Sequence, residues 1–488
     1  MDESNADSVV RRDRFSGGPA RGFLSSLDAD ERIFEADLAV DRAHVVMLTE
    51  RGIVDDETAE SILDALEVIE AAGHDALPAG EDVHEAIETA VVERVGADGG
   101  RMHTARSRND EVATCIRFRL REDVLDALEA TLVLRESLRT VASDHAETLA
   151  PGYTHLQPAQ PTTVGHWALS YERAVARDTA RLLDAYDRVD ASPLGAAAFA
   201  GTTFDVDRRR TAELLGFSTV LENAMDAASS RDFLLETTGA LSTLATTLSG
   251  LAEDLLVFAN RGFVEIADDY ASTSSIMPQK KNPDTLELVR AVAGDAAAGV
   301  TGSTTTLKGL PRAYNRDLQR ATPHVWRTVD AVTEATGVAA GAVVTAEWNA
   351  ETLAGAADEG FSTATGVADL LAQRGVPFRT AHEVVAQAAT DADAGGTPIR
   401  EALADAASAH LEDSLDSYVE AEALDAALDA EASVASRDSA GGPAPVAMAE
   451  QLEAVGESLA ADREAIADRA GLLEAADELR MEVVSTYV

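Results

Sequence analysis

The sequence has a single cysteine, Cys115, so no disulfide can form within the chain. A reducing compartment is compatible with that, and a cytoplasmic location is expected. Lysine is nearly missing too: Lys280, Lys281 and Lys308 stand against 37 arginines. Aromatic residues make up only 5%. With Ala and Leu abundant, that favours helices over sheet. No apolar run approaches the roughly 18–20 residues of a membrane span, so no membrane association is expected. The N-terminus, MDESNADS, is acidic and polar and does not resemble a signal peptide. Positive charge is scarce overall, with 86 acidic residues against 40 basic and a net charge of −46. Such a field repels nucleic acid and anionic membranes, which excludes both as partners.

What is present argues for a folded protein. Hydrophobic residues make up 46%, too many for a disordered acidic chain. A dense carboxylate surface suits concentrated salt, where the screening length falls to about 3 Å at 1 M. The fold is expected to loosen when salt is removed. At 488 residues the chain exceeds one ordinary core. Three helical regions are expected: an N-terminal domain at 1–105, a central long-helix bundle at 106–355 and a C-terminal domain at 356–488. Residues 1–20 read as an arm over the surface. In the last region the composition shifts to Ala, Asp and Glu, and helices break at Gly375-Val376-Pro377, Gly395-Gly396-Thr397-Pro398 and Gly441-Gly442-Pro443. No stretch shows convincing strand alternation, so the fold class is all-α. Within 233–260, Leu241, Leu244, Leu248, Leu251, Leu255 and Phe258 alternate steps of three and four. That is a heptad seam, as in long helices packed at shallow angles.

Several polar stretches stand out. Residues 272–284 hold Ser274, Ser275, two prolines and two of the three lysines. A chain that has shed lysine elsewhere keeps a compact ammonium where arginine cannot replace it. Asn282 is placed to cap the following helix, with Pro283 at its first position and Glu287 in its first turn. Residues 101–119 crowd Arg101, Arg106 and Arg108 beside His103, Thr104, Ser107 and Asn109. Guanidinium and hydroxyl donors so concentrated suit a carboxylate-rich ligand; ion pairs with the acidic surface are the plainer alternative. Asn109 or Asp110 can cap the long helix that follows. Residues 150–163 hold three prolines and a glycine and read as a loop carrying His155 between Thr154 and Gln157. His84 lies near the start of an amphipathic helix, where a surface or capping role competes with a functional one. No HExxH or CxxC spacing appears, so no metal is expected.

These stretches resemble a known family. Ser274-Ser275-Ile276-Met277-Pro278-Gln279-Lys280-Lys281-Asn282-Pro283 is similar to the signature loop of the fumarase/aspartase superfamily. HTARSRND at 103–110, YTHLQPAQP at 153–161 and the QKKNPD ending at 279–284 are similar to the argininosuccinate lyase family in particular. Shorter matches follow in order: RFSGG at 14–18, PLGAAAFAGTTF at 193–204, SRDF at 230–233, YNRDLQ at 314–319 and SVASRDSAGG at 433–442. The resemblance implies cleavage of argininosuccinate into arginine and fumarate, without a cofactor. It also implies a homotetramer whose active sites are each assembled from three subunits. By family position, Ser274 is the base and His155 the acid. Glu287 is the partner of His155, and Lys280 and Asn282 steady the activated carboxylate. Ser26, His84, His103, Ser107, Arg108, Asn109, Thr154, Tyr314 and Gln319 are the matched substrate-binding residues, and Asp30 is placed to serve the positive end of the substrate. Two positions depart from the family pattern: Thr273 replaces a glycine, and Thr322 a lysine that Arg320 is placed to substitute. The rival readings are another fumarate-releasing lyase of the superfamily (adenylosuccinate lyase, aspartase or fumarase), a non-catalytic structural oligomer, and a metal enzyme using His84 and His103, against which the missing ligand spacing argues.

Overall fold

The computed structural model describes residues 20–488. The N-terminal arm, apart from Ala20, and the RFSGG match lie outside them. Helix ends follow local chemistry. Asp55 caps the Asp56–Ala72 helix by accepting from the Thr58 amide at 3.0 Å, and Gly73, at φ +81°, ends it. Asp82 caps Val83–Val95 through the Glu85 amide at 2.8 Å. The Arg108–Asp144 helix is capped by neither Asn109 nor Asp110, as the sequence suggested. Ser107 is the cap, and Asp110 closes the reciprocal half of a capping box.

Five long helices make the bundle: Arg108–Asp144, Val164–Val189, Asp232–Asn260, Asp284–Leu307 and Thr322–Val344. The leucine seam of 232–260 faces its interior, and Leu241, Leu244, Leu248 and Leu255 are fully buried. Each such leucine contributes about 1.5–3 kcal/mol of burial. Phe258 is half-buried, in a ring cluster with Trp167, Phe263 and Trp348. Contrary to expectation, this helix is long and apolar enough by length and composition to cross a membrane. Ala, Gly and Thr between the leucines carry the apolar character round the helix, and only 39% of its apolar window is buried within the chain.

The fold is predominantly helical, but residues 150–163 are not a loop. Leu149–Thr154 pairs antiparallel with Gln157–Thr163. The register shifts between Pro151 and Tyr153. There Gly152 lets the Gln160 carbonyl approach to where a Cβ would be only 2.4 Å away. His155 and Leu156 form the turn, both at φ +58°. A tight hairpin of this hand needs positive φ at both central residues. Side chains with a Cβ adopt it at a cost of about 1–2 kcal/mol each. A shorter pairing, Ser272–Thr273 with Lys281–Asn282, closes the 272–284 loop.

Beyond the bundle, Val367, Leu371, Val384, Leu403, Leu415 and Leu424 form a separate small core within 361–428. The chain then returns: Pro445–Val484, 40 residues long, packs along the 108–144 and 164–189 helices. At the joint, Ala357, Ala430 and Val434 cluster with Leu149. The Ala350–Ala357 helix packs on one hairpin strand and Ala430–Ala435 on the other.

Candidate active site

A cavity of about 840 Å³ opens where the N-terminal helices meet the bundle. It is lined by Ser26, Asp30, His84, Arg108, Asn109, Arg231, Tyr314 and Gln319, among others. Arg320 and Thr322 also reach it. Ser26 donates to Asp30 Oδ2 at 2.7 Å, and the Val83 amide donates to the same oxygen at 3.3 Å. Burial pushes the Asp30 carboxyl up to about 6, against the opposing pull of His84. Arg108 Nη1 is 3.4 Å from Glu85 and 3.5 Å from Asp82, long contacts that leave its donors available. Asn109 donates to the Ala198 carbonyl at 3.1 Å, and Gln319 to that of Leu24 at 3.3 Å. Burial raises the Tyr314 phenol, which keeps it a proton donor. In the sequence Arg231 stands in a polar turn with Ser229 and Ser230 and in the matched SRDF run, neither of which gives it a role. It is 3% exposed. It donates to the Ser230 carbonyl at 2.8 Å, and its Nε has no partner. Burial pulls it down to about 10. Guanidinium and neutral donors in a half-desolvated cavity suit carboxylates, and Asp30 suits a cation.

Behind this wall lies a buried ionic network. His84 is not at the surface: it is 5% exposed, with Nδ1 2.8 Å from Asp37 and 3.8 Å from Glu111. Burial alone would discharge it, but those two carboxylates hold the imidazolium up at about 10. Arg106 spans Asp41 at 2.6 Å and Glu111 at 2.8 Å. Cys115 donates to Asp37 at 3.3 Å. Two groups here, Asp37–His84–Cys115 and Asp37–Asp41–Glu111, lie close enough to hold a metal ion, which no sequence spacing foreshadowed. The charge they require already comes from Arg106 and the imidazolium.

The arginine cluster thus divides three ways. Arg101 pairs with Asp55 at 2.7 Å at the surface, Arg106 is buried, and Arg108 faces the cavity. His103 lies 3.7 Å from Glu88 and does not line the cavity. Burial, helped by Arg106 and Arg108, pushes it down to about 3, so it is neutral. Ser107 is engaged as the helix cap, its hydroxyl accepting from the Asn109 amide at 3.3 Å.

The remaining motif residues lie elsewhere. His155 and Thr154 are exposed at the hairpin tip, and Lys280 and Glu287 are exposed. None of these, nor Ser274 or Asn282, lines the cavity of their own chain. Among the described residues no hydrogen bond or ion pair joins Glu287 to His155. Ser274 Oγ accepts from the amides of Met277 at 3.1 Å and Ile276 at 3.4 Å. Asn282 does not cap the next helix. It belongs to the short pairing, and its side chain accepts from Lys280 Nζ at 2.6 Å. Lys281 binds Glu265 and Asp268.

The family model described as "Lyase" matches residues 25–297, and the one described as "Argininosuccinate lyase C-terminal" matches 361–435. An argininosuccinate lyase of Haloarcula marismortui is 66% identical over 99% of this chain and 98% of its own. That of Natronomonas pharaonis is 68% identical over 100% and 98%. The chain belongs to the argininosuccinate lyase family. Its C-terminal family match covers the small separate core, and its Lyase match spans most of the bundle. The acidic surface accords with argininosuccinate lyases of halophilic archaea as its relatives. A solved structure, EDDS lyase in complex with formate, superposes with a TM-score of 0.86 at 31% identity over 96% of both chains. The 3-carboxy-cis,cis-muconate lactonizing enzyme of Pseudomonas putida shares the fold, with a TM-score of 0.69 at 19% identity.

Proposed function

We propose that this chain cleaves argininosuccinate to arginine and fumarate, the last step of arginine biosynthesis, in the cytoplasm and as a homotetramer. The observation that carries the reading is the cavity. Arg108, Arg231, Asn109, Ser26, Tyr314 and Gln319 converge there with Asp30. A ligand with three carboxylates and one guanidinium finds complementary groups for both charges.

The reaction takes a proton from the carbon beside a carboxylate and expels a guanidino nitrogen from its neighbour. Ser274 is the base, its oxygen facing two backbone amides that stabilise an alkoxide. Lys280, held by Asn282, meets the charge that builds on the aci-carboxylate. His155 protonates the leaving nitrogen, and Glu287 raises its basicity. His84 adds positive charge at the cavity wall. Ser107, Thr154 and His103 are assigned to binding from outside the cavity of their own chain.

The proposed catalytic residues lie outside the cavity of their own chain, which supports a site shared between subunits of a tetramer. The 284–307 helix turns Leu288 outward together with Ala291, Gly294, Ala298 and Thr301, the last four small residues that let another helix approach closely. A fumarate-release assay in molar KCl tests the activity. Turnover of argininosuccinate is expected, with none of adenylosuccinate, aspartate or malate. Sharing is tested at low substrate by mixing Ser274→Ala, expected to be inactive, with Arg108→Ala, expected to bind substrate weakly. Recovery of activity is expected, and none would mean that each chain is complete alone.

A further inference from the structure

The turn at 103–107 carries no side chain into the cavity, yet it leads directly into Arg108 and Asn109. Its backbone is held in an unusual state. Ala105 has φ +63°, the left-handed region that residues with a Cβ rarely adopt. Strained backbone persists only where its surroundings over-determine it. Three contacts do so here. His44 Nε2 lies 2.8 Å from the Thr104 carbonyl. The Ser107 amide donates to Asp110 at 3.0 Å. Between them Arg106 runs inward, 7% exposed, to Asp41 and Glu111.

The two carboxylates come from different helices, Asp41 from Phe34–Glu50 and Glu111 from the first turn of 108–144. A buried ion pair is a costly way to join helices, and apolar side chains of similar volume stabilise as well or better. What a forked guanidinium adds is direction, because two carboxylates fix its plane and so the path of the backbone behind it. The same fork could not be replaced by a point charge.

We infer that Arg106 is a positioning residue: gripped by Asp41 and Glu111, it holds the turn at Ala105 so that Arg108 and Asn109 are aimed into the cavity. The inference rests on the reading of Arg108 and Asn109 as substrate-binding residues.

The test uses the full chain in molar KCl, with argininosuccinate as substrate and circular dichroism to establish folding. Arg106→Lys keeps the charge and loses the fork. It is expected to raise KM about tenfold or more while kcat stays within about threefold. Adding Ala105→Gly to that variant removes the strain and is expected to recover part of the KM. A merely structural role predicts instead an activity loss that tracks the folded fraction, with KM unchanged, and that result overturns the inference. Should Arg106→Lys not fold, Asp41→Asn decides by the same criterion: a raised KM supports the inference and an unchanged one overturns it. Arg108→Ala separates the two claims. A raised KM there with an unchanged KM in folded Arg106→Lys overturns the positioning role alone. An unchanged KM in Arg108→Ala overturns the binding reading and the inference together.

Discussion

Around His84 and Arg106 the chain buries Asp37, Asp41 and Glu111 among their partners, nearly free of solvent. Around Ser274 and Lys280 it leaves side chains in water, and the isoleucine between them is 83% exposed. Both regions are polar, and both carry signature motifs. In the first, the two cations are each held by carboxylates of the same chain, and breaking such a buried pair is costly. The second is a short strand pairing with a loop of exposed residues, the kind of segment drawn from the low-stability end of a structure. The residues proposed for recognition are thus backed by a buried network, while those proposed for the chemistry stand on elements that one chain leaves uncovered.

Ser274→Ala should break the comparison most sharply if it is wrong. It is expected to lower kcat by about 10²–10⁴, measured as fumarate release, with the melting temperature unchanged because the loop holds little of the fold. Unaltered turnover would remove Ser274 as the base. Next in size is a pair of apolar truncations followed by denaturant unfolding. Leu241→Ala, in the bundle seam, should cost about 2–5 kcal/mol. Ile276→Ala should stay within about 0.5 kcal/mol, and a larger cost would mean that a neighbouring subunit covers the loop. The smallest effect is on pH dependence. The His84 imidazolium is held at about 10 against an ordinary value of 6.5. The folded state therefore binds more protons across that window, and the contribution of His84 to stability, complete below 6.5, is lost as pH rises towards 10. Melting temperature measured from pH 7 to 10 should fall more steeply in the native protein than in His84→Gln. Equal slopes would mean that the imidazole is not charged in the fold.

The bundle was legible because leucines at alternating steps of three and four point to a helix with one apolar face. The hairpin was not. Pro151, Pro158 and Pro161 mask its two-residue period, and its turn is His-Leu where Asn-Gly would have announced it. Asn282 misled for a related reason: a residue before Pro reads as a cap, but pairing with Ser272 turned it towards Lys280. Nothing in the sequence singles out Asp37, Asp41 or Glu111, because pattern alone does not tell a buried carboxylate from a solvated one. Only the fold shows that Arg106 and His84 meet them inside. Arg231 stayed hidden because its importance lies in the partner it lacks.

The segment 361–428 leaves the bundle and rejoins it at one place, where Ala357 and Ala430 share a cluster with Leu149. Its ends are thus pinned side by side in the fold. Closure entropy grows only with the logarithm of length, about 0.6 kcal/mol for each doubling. The segment can lengthen, shorten or change its acidic composition over generations while the helix beginning at Pro445 starts from the same point. It is an excursion that the rest of the molecule does not have to count.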